Sequence, residues 1–332
     1  MKYTKLGKTG LRVSKICFGC MTYGSSDWRP WVLNEAEAEP FFKHAIEAGV
    51  NFFDTANVYS LGASEEVTGK YLKKYADSEE IVLATKVFGV MSDGPNMRGL
   101  SRKNIQQACE ASLRRLQVDV IDLYQIHRMD PLTPIEETLY ALNLLVEQGK
   151  VRYLGASSMY AWEFMNALHI SRREGWTEFS TMQNHYNLVY REEEREMLPL
   201  CADQDIGVIP WSPLARGMLA GTRNKQGENE STRAGSDEFA KLLYTEDSDW
   251  DVVDAVKSVA QQRDIKPAQI ALAWLHAQDV VSSPIIGASK MYQLEDAIAS
   301  VNIDLTADEL DQLEAPYQPH DVKGLAPAKR NS

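Results

Sequence analysis

Four residues whose side chains move protons or carry charge stand where apolar runs end. Asp54 closes NFFD (51–54) and Tyr59 follows five residues later; Lys86 follows IVLAT (81–85), and His127 follows IDLYQI (121–126). Each has a bland explanation taken singly: a turn aspartate, a loop aromatic, a snorkelling lysine, a satisfied core histidine. Together they are harder to explain by packing, because a lysine and a histidine that follow buried runs must find partners or bear the cost of leaving water. The chemistry such a set performs is proton transfer to a carbonyl. Tyrosine, with an ordinary pKa of about 10, is a weak acid near neutrality, and a buried ammonium beside it stabilises the phenolate. On this reading Asp54 keeps Lys86 charged and aimed, Tyr59 gives the proton, and His127 adds a second hydrogen bond to the developing oxyanion. No metal or covalent nucleophile is required. The reductant must come from a nicotinamide cofactor, since side chains do not donate hydride.

The elements that must position these residues alternate along the chain. Strands start near 13, 51, 81, 121, 151, 179, 207 and 282. Amphipathic patterns predict helices over 35–49, 64–75, 101–117, 135–150, 161–175, 192–205, 251–265, 267–278, 291–300 and 306–315. Eight βα units predict an α/β fold, a (β/α)8 TIM barrel, preceded by an N-terminal β-hairpin in the first fourteen residues. Residues 1–332 read as a single barrel domain with a long loop insertion at about 216–250, after strand 7, where a polar, Gly-rich stretch suits a functional loop. Barrel active sites lie at the C-terminal strand ends, which is where Asp54, Lys86 and His127 fall.

Composition narrows the partners. The chain is 44% hydrophobic and 25% charged with a net charge of −12, which excludes a disordered or collagen-like chain and argues against nucleic acid and anionic membrane surfaces. Four widely spaced cysteines suit a reducing compartment, hence a cytoplasmic protein, and no apolar run reaches the length of a membrane span. The expected partner is a small-molecule carbonyl substrate, with no obligate protein partner. Cys17-x-x-Cys20 lies across a strand and has no second pair, so it reads as structural and no metal is expected. The 191–197 run REEEREM reads as the opening of a solvated helix. No G-x-G-x-x-G turn is present. Phosphate is expected instead at Gly287-Ala288-Ser289-Lys290, before a helix start, with Trp211 to stack a planar ring and Ser157, Ser158 and Gln183 to bond a carboxamide. Substrate walls are expected from 23–33 with Trp28 and Trp31, from 88–100, from 128–134 and from the long loop; Arg128 suits either an anionic substrate or a surface salt bridge.

Several blocks then add a resemblance. GCMTYG (19–24), NFFDTANVYSLGASEEVTGK (51–70), LATKV (83–87), IDLYQIH (121–127), IPWSPLARG (209–217) and PIIGAS (284–289) resemble, in order, those of the aldo-keto reductase superfamily, in the branch that holds bacterial reductases and the potassium-channel β subunits. The 190–201 and 210–217 stretches are similar to enterobacterial members. The resemblance implies a catalytic tetrad of Asp54, Tyr59, Lys86 and His127 with Tyr59 as acid/base. It also implies NADP(H), bound extended against Thr22, Tyr23, Asp54, Ser157, Ser158, Gln183, Trp211, Ser212, Pro213, Leu214, Ala215, Gly217, Gly287, Ser289, Gln293 and Asp296. Departures are Ser158 where the family often has Asn, Asp296-Ala297 where it often has Glu-Asn, and Gln293 rather than Arg; Arg216, Lys225, Arg233 and Lys290 are candidates for the positive charge so lost. The resulting expectation is an NADPH-dependent reductase of aldehydes or ketones. The alternatives are a nucleotide-bound regulatory or docking subunit with vestigial reductase activity, and a metal-dependent hydrolase, which FGCMTYG (18–24) disfavours because it lacks the H-x-H pair of such barrels.

Overall fold

In the computed structural model residues 1–223 and 237–325 are described. Tyr3–Lys5 (β1) and Arg12–Ser14 (β2) form the antiparallel hairpin, with Tyr3 opposite Ser14. The barrel strands are Cys17–Gly19 (β3), Phe52–Asp54 (β6), Val82–Val87 (β7), Ile121–Ile126 (β8), Val151–Ser157 (β9), Phe179–Gln183 (β10), Gly207–Val208 (β11) and Ile285–Ile286 (β12). Two-residue strands Tyr23–Gly24 (β4) and Leu33–Asn34 (β5) pair in the loop that follows β3. The eight barrel strands form one sheet in the order β11-β10-β9-β8-β7-β6-β3-β12, and every pairing in it is parallel. Its two ends meet: Val208 bridges Val281, and the N–H groups of Ser282 and Ile285 donate to the carbonyls of Val208 and Pro210 at 2.8 and 2.9 Å.

Side chains two apart on a strand share a face, and that period builds the site. Cys17, Phe52, Val82, Ala84, Leu123 and Ile209 pack together inside the barrel with Leu6 and Val13 of the hairpin. The next inward positions up the strands are Asp54, Lys86, Gln125 and then His127, so polar residues sit directly above an apolar floor. Outward residues meet the helices. Thr85, between Ala84 and Lys86, donates to Glu65 Oε1 of helix Ala63–Tyr75 at 2.6 Å, and Glu65 pairs with Arg115 of helix Arg102–Leu116, also at 2.6 Å.

Further helices cover the sheet at Glu35–Glu47, Ile135–Glu147, Ala161–Glu174, Met197–Asp203, Asp249–Arg263, Pro267–His276, Met291–Ser300 and Ala307–Glu314, and Glu238–Leu243 lies in the long connection before β12. Three expectations change. The strand expected from residue 13 breaks at Lys15-Ile16, because its first part pairs with β1 and only Cys17–Gly19 joins the barrel. The helix expected over 192–205 begins at Met197: Pro199 has no N–H and is tolerated only in a first turn. The preceding REEEREM run is solvated only in part, at Arg195 and Glu196. Glu192 and Glu193 are buried; Glu192 accepts from Tyr317 Oη and the His320 N–H at 2.6 and 2.7 Å, and Glu193 accepts from Asn184 Nδ2 at 3.1 Å. The middle of the long insertion, 224–236 with Lys225 and Arg233, lies outside the described residues.

The hairpin plug sets a strict steric condition. Gly7 has φ of +54°, and a Cβ there would lie 2.4 Å from the Gly207 nitrogen and 2.7 Å from the Asp205 carbonyl oxygen, both backbone atoms that cannot rotate away. Gly7→Ala is expected to lower stability by roughly 2–4 kcal/mol, read as a fall in the urea midpoint at unchanged m-value. A midpoint equal to that of the parent chain would show that the plug does not stabilise the barrel.

Candidate active site

The barrel brings the four residues together. Lys86 Nζ, fully buried, donates to Asp54 Oδ2 at 2.5 Å and to the Thr55 carbonyl at 2.7 Å, and stands 3.4 Å from Tyr59 Oη. The His127 ring meets Tyr59 edge-on with centroids 5.6 Å apart. Strand register explains the first contact: Asp54 is level with Ala84, one inward step below Lys86. Tyr59 comes from the loop. It opens a tight turn, Tyr59–Gly62, in which Ser60, Leu61 and Gly62 all have positive φ (49°, 51° and 103°) before helix Ala63–Tyr75 starts. For Ser60 and Leu61 that backbone is costly, which fits a turn held in place to aim one side chain.

Asp54 is fixed from the other side by residues the sequence reading missed or used differently. Gln125 Nε2 donates to Asp54 Oδ1 at 2.9 Å, and Gln183 Nε2 donates to the same oxygen at 3.0 Å and to Gln125 Oε1 at 3.2 Å. Gln125 follows the inward alternation of β8, the one signal that could have found it. Gln183 therefore spends its amide N–H groups on Asp54 and Gln125 and has its carbonyl oxygen left to offer. Gly155 makes room for Gln125: a Cβ there would lie 2.9 Å from Gln125 Cγ and 2.3 Å from Thr181 Oγ1.

Charge follows from these contacts. Burial alone pulls the Lys86 ammonium down, but the Asp54 carboxylate and the Tyr59 oxygen outweigh it and the amine stays above its ordinary value. Burial, with the cations Lys86 and Arg128 nearby, holds His127 well below the usual imidazole value, so it is neutral at physiological pH and able to donate one N–H.

Asp54, Tyr59 and His127 open onto a cavity of about 530 Å³ that runs from the tryptophans of the first βα loop to helix Met291–Ser300. Of the residues proposed to meet a cofactor, Thr22, Asp54, Ser157, Gln183, Trp211, Ser212, Pro213, Leu214, Gly217, Gly287, Ser289, Gln293 and Asp296 line it. Tyr23, Ser158 and Ala215 do not; they stand behind the wall. Tyr23 is buried against Phe18 and donates to the Ala288 carbonyl at 2.8 Å. Ser158 accepts from Trp211 Nε1 at 3.0 Å, and Ala215 is buried in a bend where it and Arg216 have positive φ. Trp211 is further held by stacking on His185, 4.3 Å between centroids, with Tyr190 stacked next to His185 at 4.2 Å. Gly287 lets Thr22 approach, since a Cβ would meet Thr22 Oγ1 at 2.6 Å. The Ser289 and Lys290 N–H groups, expected to face a phosphate, donate to Gln293 Oε1 at 2.9 and 3.1 Å. Trp28 and Trp31 line the cavity as expected, residues 88–100 do not, and Arg29, Arg128, Arg216 and Lys266 supply positive charge. Arg216 pairs with Asp237, and Lys266 with Asp296 at 2.8 Å.

Comparison with known proteins gives the family. The aldo/keto reductase family pattern matches residues 15–318. The chain belongs to that family. It is 43% identical to the versiconal hemiacetal acetate reductase of Aspergillus parasiticus over 99% of its own length and all of the relative's. An aldo-keto reductase of Fusarium vanettenii is 43% identical over 97% of this chain and 92% of that protein, and one of Alternaria alternata is 40% identical over 98% and 94%. The chain is thus an oxidoreductase of the carbonyl-reducing kind, in a family that uses NAD(P)H. No helix among the described residues is long and apolar enough to cross a membrane, and no cluster of His, Cys, Asp or Glu among them has the form of a metal site.

Two predictions follow from the charges. Lys86→Met leaves Asp54 buried without its counter-ion and is expected to cost roughly 3–5 kcal/mol, much of which Asp54→Asn in the same chain restores; urea unfolding of the two single variants and the double variant checks this, and additive losses would contradict it. Because the His127 value lies well below the ordinary one, its imidazole stays neutral as pH falls from about 8 to about 5.5. A heteronuclear NMR titration should show no His127 transition in that window, and a midpoint near the ordinary value would overturn the neutral-donor assignment.

Proposed function

We propose that the chain reduces an aldehyde or ketone to the alcohol with NADPH, Tyr59 giving the proton to the carbonyl oxygen. The observation that carries this reading is the Asp54–Lys86–Tyr59 line, with a neutral histidine beside the phenol at the cavity floor. The long cavity fits the cofactor: Gly19, Gly217 and Gly287 keep the wall free of side chains, Trp211 offers a ring, and Arg216 and Lys266 offer positive charge. When bound, NADPH supplies the hydride. The chain's own residues do the rest. Lys86 holds positive charge 3.4 Å from the oxygen that becomes anionic as Tyr59 gives up its proton. Asp54, locked by two glutamine N–H groups, keeps that ammonium in line. His127, uncharged, can donate to the carbonyl oxygen without adding a third cation to the site. Ser157 and the Gln183 carbonyl oxygen are the polar groups available to a carboxamide, and the wall of Ser289, Gln293, Asp296 and Lys266 to the far end of the nucleotide. Four free, buried cysteines support the cytosol as the place of work.

Tyr59→Phe removes the proton and little else. NADPH oxidation with 4-nitrobenzaldehyde is expected to fall at least about 10³-fold, while quenching of tryptophan fluorescence by NADPH titrates as in the parent chain. Parental turnover in Tyr59→Phe would refute the assignment. Tight NADPH binding with no turnover of any carbonyl by the parent chain would favour the regulatory-subunit reading instead.

A further inference from the structure

Most charges around the cavity cancel locally: Lys86 with Asp54, Arg216 with Asp237, Lys266 with Asp296. Two do not. Arg128 and Arg29 line the same cavity, and among the described residues neither has a carboxylate within ion-pair distance. Arg128 follows His127 directly. Its guanidinium donates to the His127 carbonyl at 3.1 Å and lies over the Trp211 ring at 5.9 Å, and its charge is felt by Tyr59, so it sits at the reacting end. Arg29 lies over Trp28 at 4.7 Å and near Trp31 at 5.9 Å, with its Nε buried and unpartnered; Trp28 in turn lies 6.2 Å from Tyr59. Both side chains are part-buried, and burial acts on the Arg128 guanidinium to pull its pKa down. A guanidinium in such a place is costly unless something anionic completes it, and it has five donors in a planar fork suited to a carboxylate or phosphate. In a chain of net charge −12, two unpaired arginines in one cleft are not explained by general surface charge. The nucleotide's phosphates have nearer candidates in Arg216 and Lys266, which line the cavity with the 212–217 bend and helix Met291–Ser300. The surfaces beside the two arginines are Trp28, Trp31, Val58 and Trp211, which suit a flat or apolar body.

We propose that the site selects carbonyl compounds that carry an oxyanionic group on a planar body, the anion held by Arg128 with Arg29 as the second cation. This rests on the carbonyl-reductase reading and adds the substrate's charge to it. Arg128 is here a specificity-determining residue and takes no part in the proton transfer.

The test compares 4-carboxybenzaldehyde with its uncharged methyl ester, and with 4-formylphenyl phosphate, in the parent chain, Arg128→Met and Arg128→Lys. The readout is the ratio of kcat/KM for the anion over that for the ester. Arg128→Met should lower this ratio by roughly 10- to 100-fold, carried mainly by KM of the anionic substrate, and Arg128→Lys by less, since it keeps a charge but loses the fork. The better of the two anions in the parent chain tells carboxylate from phosphate. A ratio near one in the parent chain, or an equal loss for anion and ester in Arg128→Met, overturns the proposal while leaving the reductase reading intact. If the parent chain reduces neither these three nor 4-nitrobenzaldehyde, that reading fails, and tryptophan-fluorescence titration with 4-carboxybenzaldehyde decides separately. Binding weakened at least 10-fold in Arg128→Met upholds the anion site, and unchanged binding overturns it.

Discussion

A lysine ammonium and an aspartate carboxylate placed out of water are tolerable only when each is bonded on every side, and much of this barrel can be read as the set of conditions that meets that demand. Lys86 has Asp54, the Thr55 carbonyl and Tyr59; Asp54 has Lys86 and two glutamine amides. Gln125 has room beside Asp54 because Gly155 leaves the adjoining position on β9 empty. The pair stands above an apolar floor to which the hairpin contributes Leu6 and Val13. Remove the register between β6 and β7 by one residue and Lys86 turns outward, where Thr85 now meets Glu65.

The strand-borne part of this arrangement was legible in the chain for a simple reason. A polar residue that ends an apolar strand has few places to go, so Asp54, Lys86 and His127 point to one face and one end of a barrel from the sequence alone. The alternation of βα units carried the topology in the same way. What was not legible depended on distance across the ring. Gln125 lies inside a buried strand and looks like an anomaly of composition until Asp54 appears opposite. Glu192, after Arg191, looks solvated because a charged run usually is; its partners, Tyr317 and His320, are more than a hundred residues away. Tyr23 is a similar case: its hydroxyl turns to a backbone carbonyl rather than to the cavity. Element ends moved where covalent rules intervened, as with Pro199, or where one stretch had to serve two sheets, as at residues 12–19.

The chemistry and the selectivity sit on different kinds of backbone. Asp54, Lys86, Gln125 and Gln183 are anchored in the sheet, whose hydrogen bonds leave little freedom. Trp28, Arg29, Trp31 and Arg128 stand in the connections above it. Tyr59 is the exception, a loop residue held to the sheet's standard by a turn of left-handed residues. Such a division lets the walls of the cleft change while the proton path stays put, which suits relatives that share 40–43% of their residues with this chain and carry different names.

The seam of the barrel has its own consequence. β11 and β12 are two residues each, and the ring closes between them through a single bridge and a few carbonyl bonds around Val208 and Pro210. Elsewhere the strands run up to seven residues. Transient parting of a closed sheet begins where the fewest bonds must break together, so amide hydrogens along 207–210 and 281–286 should exchange with solvent ahead of those in β7 to β9. Those same two strands lead into Trp211 and Gly287, on the wall assigned to the nucleotide. A molecule lying across that wall would tie the two edges together, so occupancy of the groove and integrity of the ring are one equilibrium viewed from two sides.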